Sequence, residues 1–215
     1  PADYKRALAI CEKITITKKN TEGYTNCYNL IQEIRQPSLE LNVEKVNLPN
    51  LAFRSLVGWR NLSHIHLRLV RLDESLRKSL FKEGRYFDTA EWRLLLKQEA
   101  IRRWEQVLPA TTDFQQHHAE IKIDALPGGE YILLAGNSAE FSLGNTHFAA
   151  TRFHVSNISY VKRDSDYFVL HRGTGEPLAK ASVQTWLRQY DYQNRKNQQI
   201  KGGRYITNEQ GYLNI

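Results

Sequence analysis

The spacing of hydrophobic positions changes at Pro37. Before it, Tyr4, Ala7, Leu8, Cys11 and Ile14 recur at i, i+3, i+4 and i+7, which predicts one face of a helix. The polar run TKKNTEG (17–23), ending in glycine, predicts a turn. TNCYNLIQEIRQ then predicts a second helix, striped by Cys27, Leu30, Ile31 and Ile34 and stopped by Pro37. The expectation is a helical hairpin over 1–37 with Cys11 and Cys27 on inward faces near its turn. Two buried free thiols and a disulfide both fit that placement.

Beyond Pro37 the period becomes two. SLELNVEKV alternates Leu39, Leu41 and Val43. SHIHLRLVRL alternates Ile65, Leu67 and Leu69, then shifts phase at Val70 and Leu72, as at a bulge or strand end. HAEIKIDAL places Ala119, Ile121, Ile123 and Ala125 on one face, LPGG predicts a turn, and EYILLAG reads as a strand covered on both faces. HFAATRFHVS and NISYV continue the pattern. Short strands between Pro, Gly and Asn turns predict an antiparallel sandwich.

One segment interrupts the strands. Residues 88–109 predict a single helix, with Asp88 as N-cap, Glu91 as its capping-box partner and Pro109 as its stop. Its stripe runs through Trp92, Leu95, Leu96, Ala100, Trp104, Val107 and Leu108, with both tryptophans anchoring the helix on the sandwich. From Asp164 the strand pattern restarts. DYFVLHR is a strand, GTGEPL a turn, and AKASVQTWLRQYD a strand with Ala181, Val183, Thr185 and Leu187 on one face. GRYITNEQGYLNI reads as a hairpin turning at Asn208–Gly211. That is fewer strands than the roughly seven of an immunoglobulin-like sandwich, so a second, incomplete domain is expected over 163–215. The predicted organisation is a helical hairpin (1–37), a β-sandwich with a helical insertion (38–162, insertion 88–109) and the start of another (163–215). The fold class is mainly β, immunoglobulin-like and antiparallel.

Composition narrows the function classes. Among 215 residues, 41% are hydrophobic and 25% charged, as in ordinary globular domains. No apolar run approaches the roughly 18–20 residues of a membrane span. No signal peptide is visible, so an exported parent would carry it upstream of Pro1. The chain contains no methionine, which suggests an excised piece or a mature fragment. The net charge of +7 is spread along the chain. The densest basic runs, KRDSDYFVLHR and RQYDYQNRKNQQIKGGR, are interleaved with Asp and Tyr and match no nucleic-acid motif. The two cysteines are too few for a disulfide scaffold and lack C-x-x-C spacing.

The sequence has no G-x-S-x-G and no H-E-x-x-H, and HRGTGEPL lacks the ending of a phosphate loop. His64 and His66 project from the same face of a strand and could meet His117 or His118 around zinc. Their alternation with Ile65 and Leu67 instead predicts a solvent face. Glu176 and Glu209 lie in glycine-bearing turns, which explains them without a glycosidase pair. The reading is therefore of a non-enzyme with no catalytic, cofactor-binding or metal residues and no cofactor.

Two phrases carry a family resemblance. YFVLHRGTGEPLAKASVQTW followed by GGRYITNEQGYLNI resembles a strand–turn–strand phrase of bacterial alpha-2-macroglobulin family members, also met in other immunoglobulin-like domains. LPNLAFRSLVGWRNLSHIHLRLVRLD resembles paired strands of a macroglobulin domain, and LPGGEYILLAG with FHVSNISYV resembles the strands that follow. Order and spacing agree over residues 38–215. The N-terminal hairpin lies outside the resemblance, and the helix at 88–109 looks like an insertion. His171 and Lys180 depart from the acidic and glycine residues more usual there, at positions expected to face solvent.

The resemblance implies a scaffold fragment of a periplasmic or envelope-associated endopeptidase inhibitor. In such a trap a protease cleaves a bait region and the molecule closes around it. Partners would be neighbouring macroglobulin domains and, through the parent, target proteases, with no nucleic acid and no small-molecule substrate. Many members carry a thioester in a C-x-E-Q motif; CEKI at Cys11 and CYNL at Cys27 do not match it. The alternative is a carbohydrate- or surface-binding β-sandwich using Trp59, Trp186, Tyr190 and Tyr192. One flat exposed platform of Trp186, Tyr190 and Tyr192 would favour it; a buried Trp186 would favour the scaffold.

Overall fold

The computed structural model describes residues 3–17, 19–81, 89–144, 147–193 and 195–215. Helices α1 (Tyr4–Thr17) and α2 (Glu22–Arg35) form the N-terminal hairpin. Thr21 caps α2 by accepting from the Tyr24 N–H, which satisfies one of the donors a helix start leaves free. Cys11, Ile31 and Ile34 are buried. Asn61 anchors the end of α2: its Nδ2 donates to the carbonyls of Ile34 (2.7 Å) and Gln36 (3.2 Å).

The next elements are β1 (Ser38–Val43), β2 (Val46–Asn47), β3 (Phe53–Arg60), β4 (His64–Leu72), α3 (Glu74–Leu80), α4 (Thr89–Leu96), β5 (Arg102–Val107), β6 (His117–Ile123), β7 (Gly129–Gly136) and β8 (Phe148–Val155). They build a three-stranded sheet, β1-β3-β6, and a five-stranded sheet, β2-β8-β7-β4-β5. All pairs are antiparallel except β2 with β8. Between the sheets, Val57, Trp59 and Ile123 meet Ile65, Leu67, Leu69, Tyr131, Leu133 and Phe153. This is the immunoglobulin-like sandwich the alternation predicts.

A second core lies on the outer side of the five-stranded sheet. Val70, Leu72, Ile132 and Leu134 pack there with Leu80 of α3, Leu95 of α4 and Phe141. That covering explains why β7 is buried on both faces, as expected. It also corrects the reading of Val70 and Leu72. The β4–β7 register runs unbroken from His66 to Leu72, so there is no bulge. The phase changes because the helices bury the strand's other face.

The single helix expected over 88–109 is not formed. Asp88, its expected cap, lies outside the described residues. The helix α4 ends at Leu96, and Arg102–Val107 is a strand paired with β4 from His64 to Leu69. The free edge of β4 offers backbone partners that a helix could not satisfy, and WEQVL alternates as well as it spirals. The two tryptophans therefore part: Trp92 stacks on Phe148 in the outer cluster, whereas Trp104 packs against the inner core.

The chain continues through β9 (Ile158–Arg163), β10 (Asp166–His171), β11 (Ser182–Asp191), β12 (Lys196–Ile206) and β13 (Tyr212–Asn214). Strands β13-β10-β9 form one sheet and β11-β12 a hairpin. Three expectations change. The strand NISYV was expected within 38–162, but Ile158–Arg163 pairs with β10, so the change of sheet falls at Ser156–Asn157. The turn at Asn208–Gly211 is present, with the Gly211 N–H donating to the Asn208 carbonyl at 3.0 Å. It does not close a hairpin, because Tyr212–Asn214 pairs with β10 and not with β12. A register shift between Gln184 and Trp186 also breaks the single face expected for Ala181 to Leu187.

Candidate functional site

The C-terminal phrase folds into a clamp. Gly175 turns the chain at φ +77° after β10, and Pro177 bridges back to Leu170. The buried Thr207 then joins this turn to the segment after β12. Its Oγ1 donates to the Leu178 carbonyl at 2.6 Å and accepts from the Ala181 N–H at 2.8 Å. Its backbone adds bonds with Ala181 and Lys180, both at 3.1 Å. Gly211 has φ +69°, and a Cβ there would stand 2.4 Å from the Val169 carbonyl. Thr and Gly at this spacing are thus what the packing demands. Lys180, one of the two departures, is exposed at φ +57°, where glycine carries no steric cost. His171, the other, is half-buried; its Nδ1 accepts from the Thr174 N–H at 3.3 Å.

This unit carries an apolar groove. An open groove of about 280 Å³ runs between the three-stranded sheet and the β11–β12 hairpin. Tyr160, Tyr167, Val169, Val183 and Leu213 line it. Ile158 and Tyr160 in its wall, and Leu187 and Ile206 on the hairpin, are each more than half exposed. Exposed apolar residues beside a groove make it a candidate interaction surface.

The aromatic residues of the alternative reading separate. Trp59 is 1% exposed and belongs to the inner core, which removes it as a surface contact. Trp186 is 57% exposed. Tyr190 lies on the same strand, and Tyr192 meets it edge-on, at 5.0 Å and 83°. Arg188 intervenes between Trp186 and Tyr190, which at strand spacing are roughly 13 Å apart. The three rings do not form one flat platform.

The histidines divide between sheets. His117 lies in β6, where its Nε2 is 2.7 Å from Asp113 Oδ1, and His118 is exposed beside it. The hydrogen bond to His117, followed by one from the Gln115 N–H, holds the Asp113 carboxyl below its ordinary value. His64 and His66 lie on β4 in the other sheet, so the zinc grouping with His117 or His118, the alternative to a solvent face, does not form. Glu105 of β5 joins them instead, directly opposite His66. Sequence reasoning missed it because residues 102–107 read as helix. Glu176 accepts from Thr174 Oγ1 at 3.1 Å inside its own turn, and Glu209 is exposed in another.

Cys11 and Cys27 face each other across the hairpin as free thiols. The hydrogen bond with Cys27, helped by burial, pushes the Cys11 thiol up to about 11.

Comparison with known proteins places the fold. No protein-family model and no curated protein matches the chain. Among solved structures, native alpha-2-macroglobulin from Escherichia coli spanning domains MG0-NIE-MG1 is similar, with 13% identity and a TM-score of 0.56. The likeness covers 84% of this chain and 57% of that one. The native conformation of the whole E. coli alpha-2-macroglobulin gives 14% identity and a TM-score of 0.41, over 84% of this chain and 11% of that one. Red sea bream transglutaminase gives 9% and 0.37, over 92% of this chain and 29% of that one. What the chain shares with the first of these is a fold: the β-sandwich architecture of macroglobulin domains.

Proposed function

We propose that this chain is a structural part of a larger bacterial alpha-2-macroglobulin-like endopeptidase inhibitor of the periplasm or cell envelope, in which it serves as domain scaffold. The observation that carries the reading is the contrast between its two β units. The sandwich is closed by two cores, whereas the unit over 158–215 presents an apolar strip and groove to solvent. Such a strip suits a neighbouring domain of the same protein, packed as macroglobulin domains pack on one another. In this reading the chain holds its neighbours in place and performs no chemistry. Bait region and thioester belong elsewhere in the protein, since neither cysteine stands in a C-x-E-Q sequence.

The test is a protease titration of the full-length protein. A trapped protease keeps cleaving small peptide substrates while it loses activity on large proteins and is shielded from large inhibitors. Equal activity on both substrate sizes would overturn the reading. Binding of the isolated chain to an envelope polysaccharide, abolished by W186A, would move the function to the surface-binding alternative.

A further inference from the structure

The outer face of β4 and β5 carries a ligand set that the scaffold reading does not use. His64 and His66 are two residues apart on β4, so their imidazoles share a face. Glu105 is the cross-strand partner of His66. One donor atom from each of the three residues lies within 4.8 Å of the others. A tetrahedral zinc site with bonds of about 2.0–2.2 Å sets its donor atoms about 3.3–3.6 Å apart. Closing that difference needs only side-chain rotation at positions that are wholly or partly exposed.

Three further observations favour a bound cation over a solvated strip. Ser63 Oγ lies 3.1 Å from His64 Nδ1. An Nδ1–H donating to it leaves Nε2 with its lone pair outward, the arrangement by which partner groups orient metal-binding imidazoles. Glu105 is uncommitted: among the described residues no cation pairs with it, although the chain has 30 lysines and arginines. Its neighbour Arg102 is spent on Asp124 at 2.6 Å. Lastly, the residue opposite His66 on β7 is Gly136, which has no side chain to occupy the space beside the imidazole.

The local field sets the kind of ion. Arg68 and Arg103 form the next cross-strand pair along the same face and oppose cation binding. Arg68 is turned toward the Ala139 carbonyl, at 2.8 Å, and the ring of Phe141, at 4.1 Å. One carboxylate beside two arginines is too weak a field for calcium or magnesium, which need several oxygen ligands. Two imidazoles suit a borderline transition metal, whose bonds are more covalent.

We propose that His64, His66 and Glu105 bind one divalent transition-metal ion of the zinc class, with water completing the coordination. The ion would pin the edge strand β5 to β4.

Isothermal titration calorimetry of the chelator-treated chain with zinc chloride tests this. The expected result is one zinc per chain, with no heat from calcium or magnesium. H66Q and E105Q each weaken binding by about tenfold or more, while the double variant C11S/C27S leaves it unchanged. Circular dichroism checks that the variants fold, which their exposed positions favour. In the NMR spectrum zinc shifts the ring signals of His64 and His66 and leaves those of His117 and His118 in place. No binding, binding that survives both H66Q and E105Q, or binding lost only in C11S/C27S would each overturn the proposal.

Discussion

Thr207→Val isolates the clamp that organises the C-terminal unit. The substitution keeps side-chain shape and removes the hydroxyl. In the wild type that hydroxyl donates to the Leu178 carbonyl at 2.6 Å and accepts from the Ala181 N–H at 2.8 Å. Thr207 is 3% exposed, so water does not readily replace either partner. Each polar group left unsatisfied costs about 1–3 kcal/mol, and the new buried methyl returns about 0.8 kcal/mol. We expect a net loss of about 2–3 kcal/mol, allowing for partial relaxation. Native-state hydrogen exchange reads it locally: the amides of Lys180, Ala181 and Thr207 should exchange faster in T207V, while those of β7 stay protected. Thr207→Ser keeps the hydroxyl and should lose less. A loss below about 0.5 kcal/mol in T207V would refute the view that this hydroxyl holds the turn.

Two further predictions come from single residues. Lys180→Gly removes a side chain from the left-handed region, at φ +57°. It should be neutral to stabilising by up to about 1 kcal/mol, the relieved strain being partly offset by glycine's greater unfolded-state entropy; clear destabilisation in urea melts would contradict this. The Cys11 thiol is raised on folding from 9.0 to about 11, chiefly by its hydrogen bond with Cys27. Between those values the folded chain binds more protons than the unfolded one, so its contribution to stability is complete below pH 9.0 and falls as pH rises toward 11. Thermal melts of C11S should lack that alkaline decline, and identical pH profiles for C11S and wild type would contradict the assignment.

What the sequence made legible was periodicity within an element. The helical stripe of Cys27, Leu30, Ile31 and Ile34, the alternation through Ile65, Leu67 and Leu69, and the two-sided burial of EYILLAG all describe an element's own faces. What it hid was which element lies alongside. Val70 and Leu72 looked like a broken strand because the helices that bury them could not be placed over β4. Arg102–Val107 looked helical because its stripe extends that of α4, and only the free edge of β4 decides otherwise. Tyr212–Asn214 looked like a hairpin arm because the turn before it is genuine, yet its partner is β10. The same gap concealed the His64–His66–Glu105 cluster. The histidine pair is a spacing and could be read; the carboxylate arrives through cross-strand register, which no spacing records. The Thr207 clamp is an intermediate case, visible as a phrase but explained only by its hydrogen bonds.

The central claim is that the apolar strip of residues 158–215 is a contact surface for a neighbouring domain. Hydroxyl-radical footprinting, read by mass spectrometry, tests it most directly by comparing the isolated chain with the full-length protein. The account predicts that Tyr160, Tyr167, Leu187 and Ile206 are labelled strongly in the isolated chain and protected in the full-length protein, while Val107, 72% exposed on the sandwich, is labelled equally in both. Equal labelling of all five residues in the two samples would leave the strip free in the assembled protein and contradict the scaffold role.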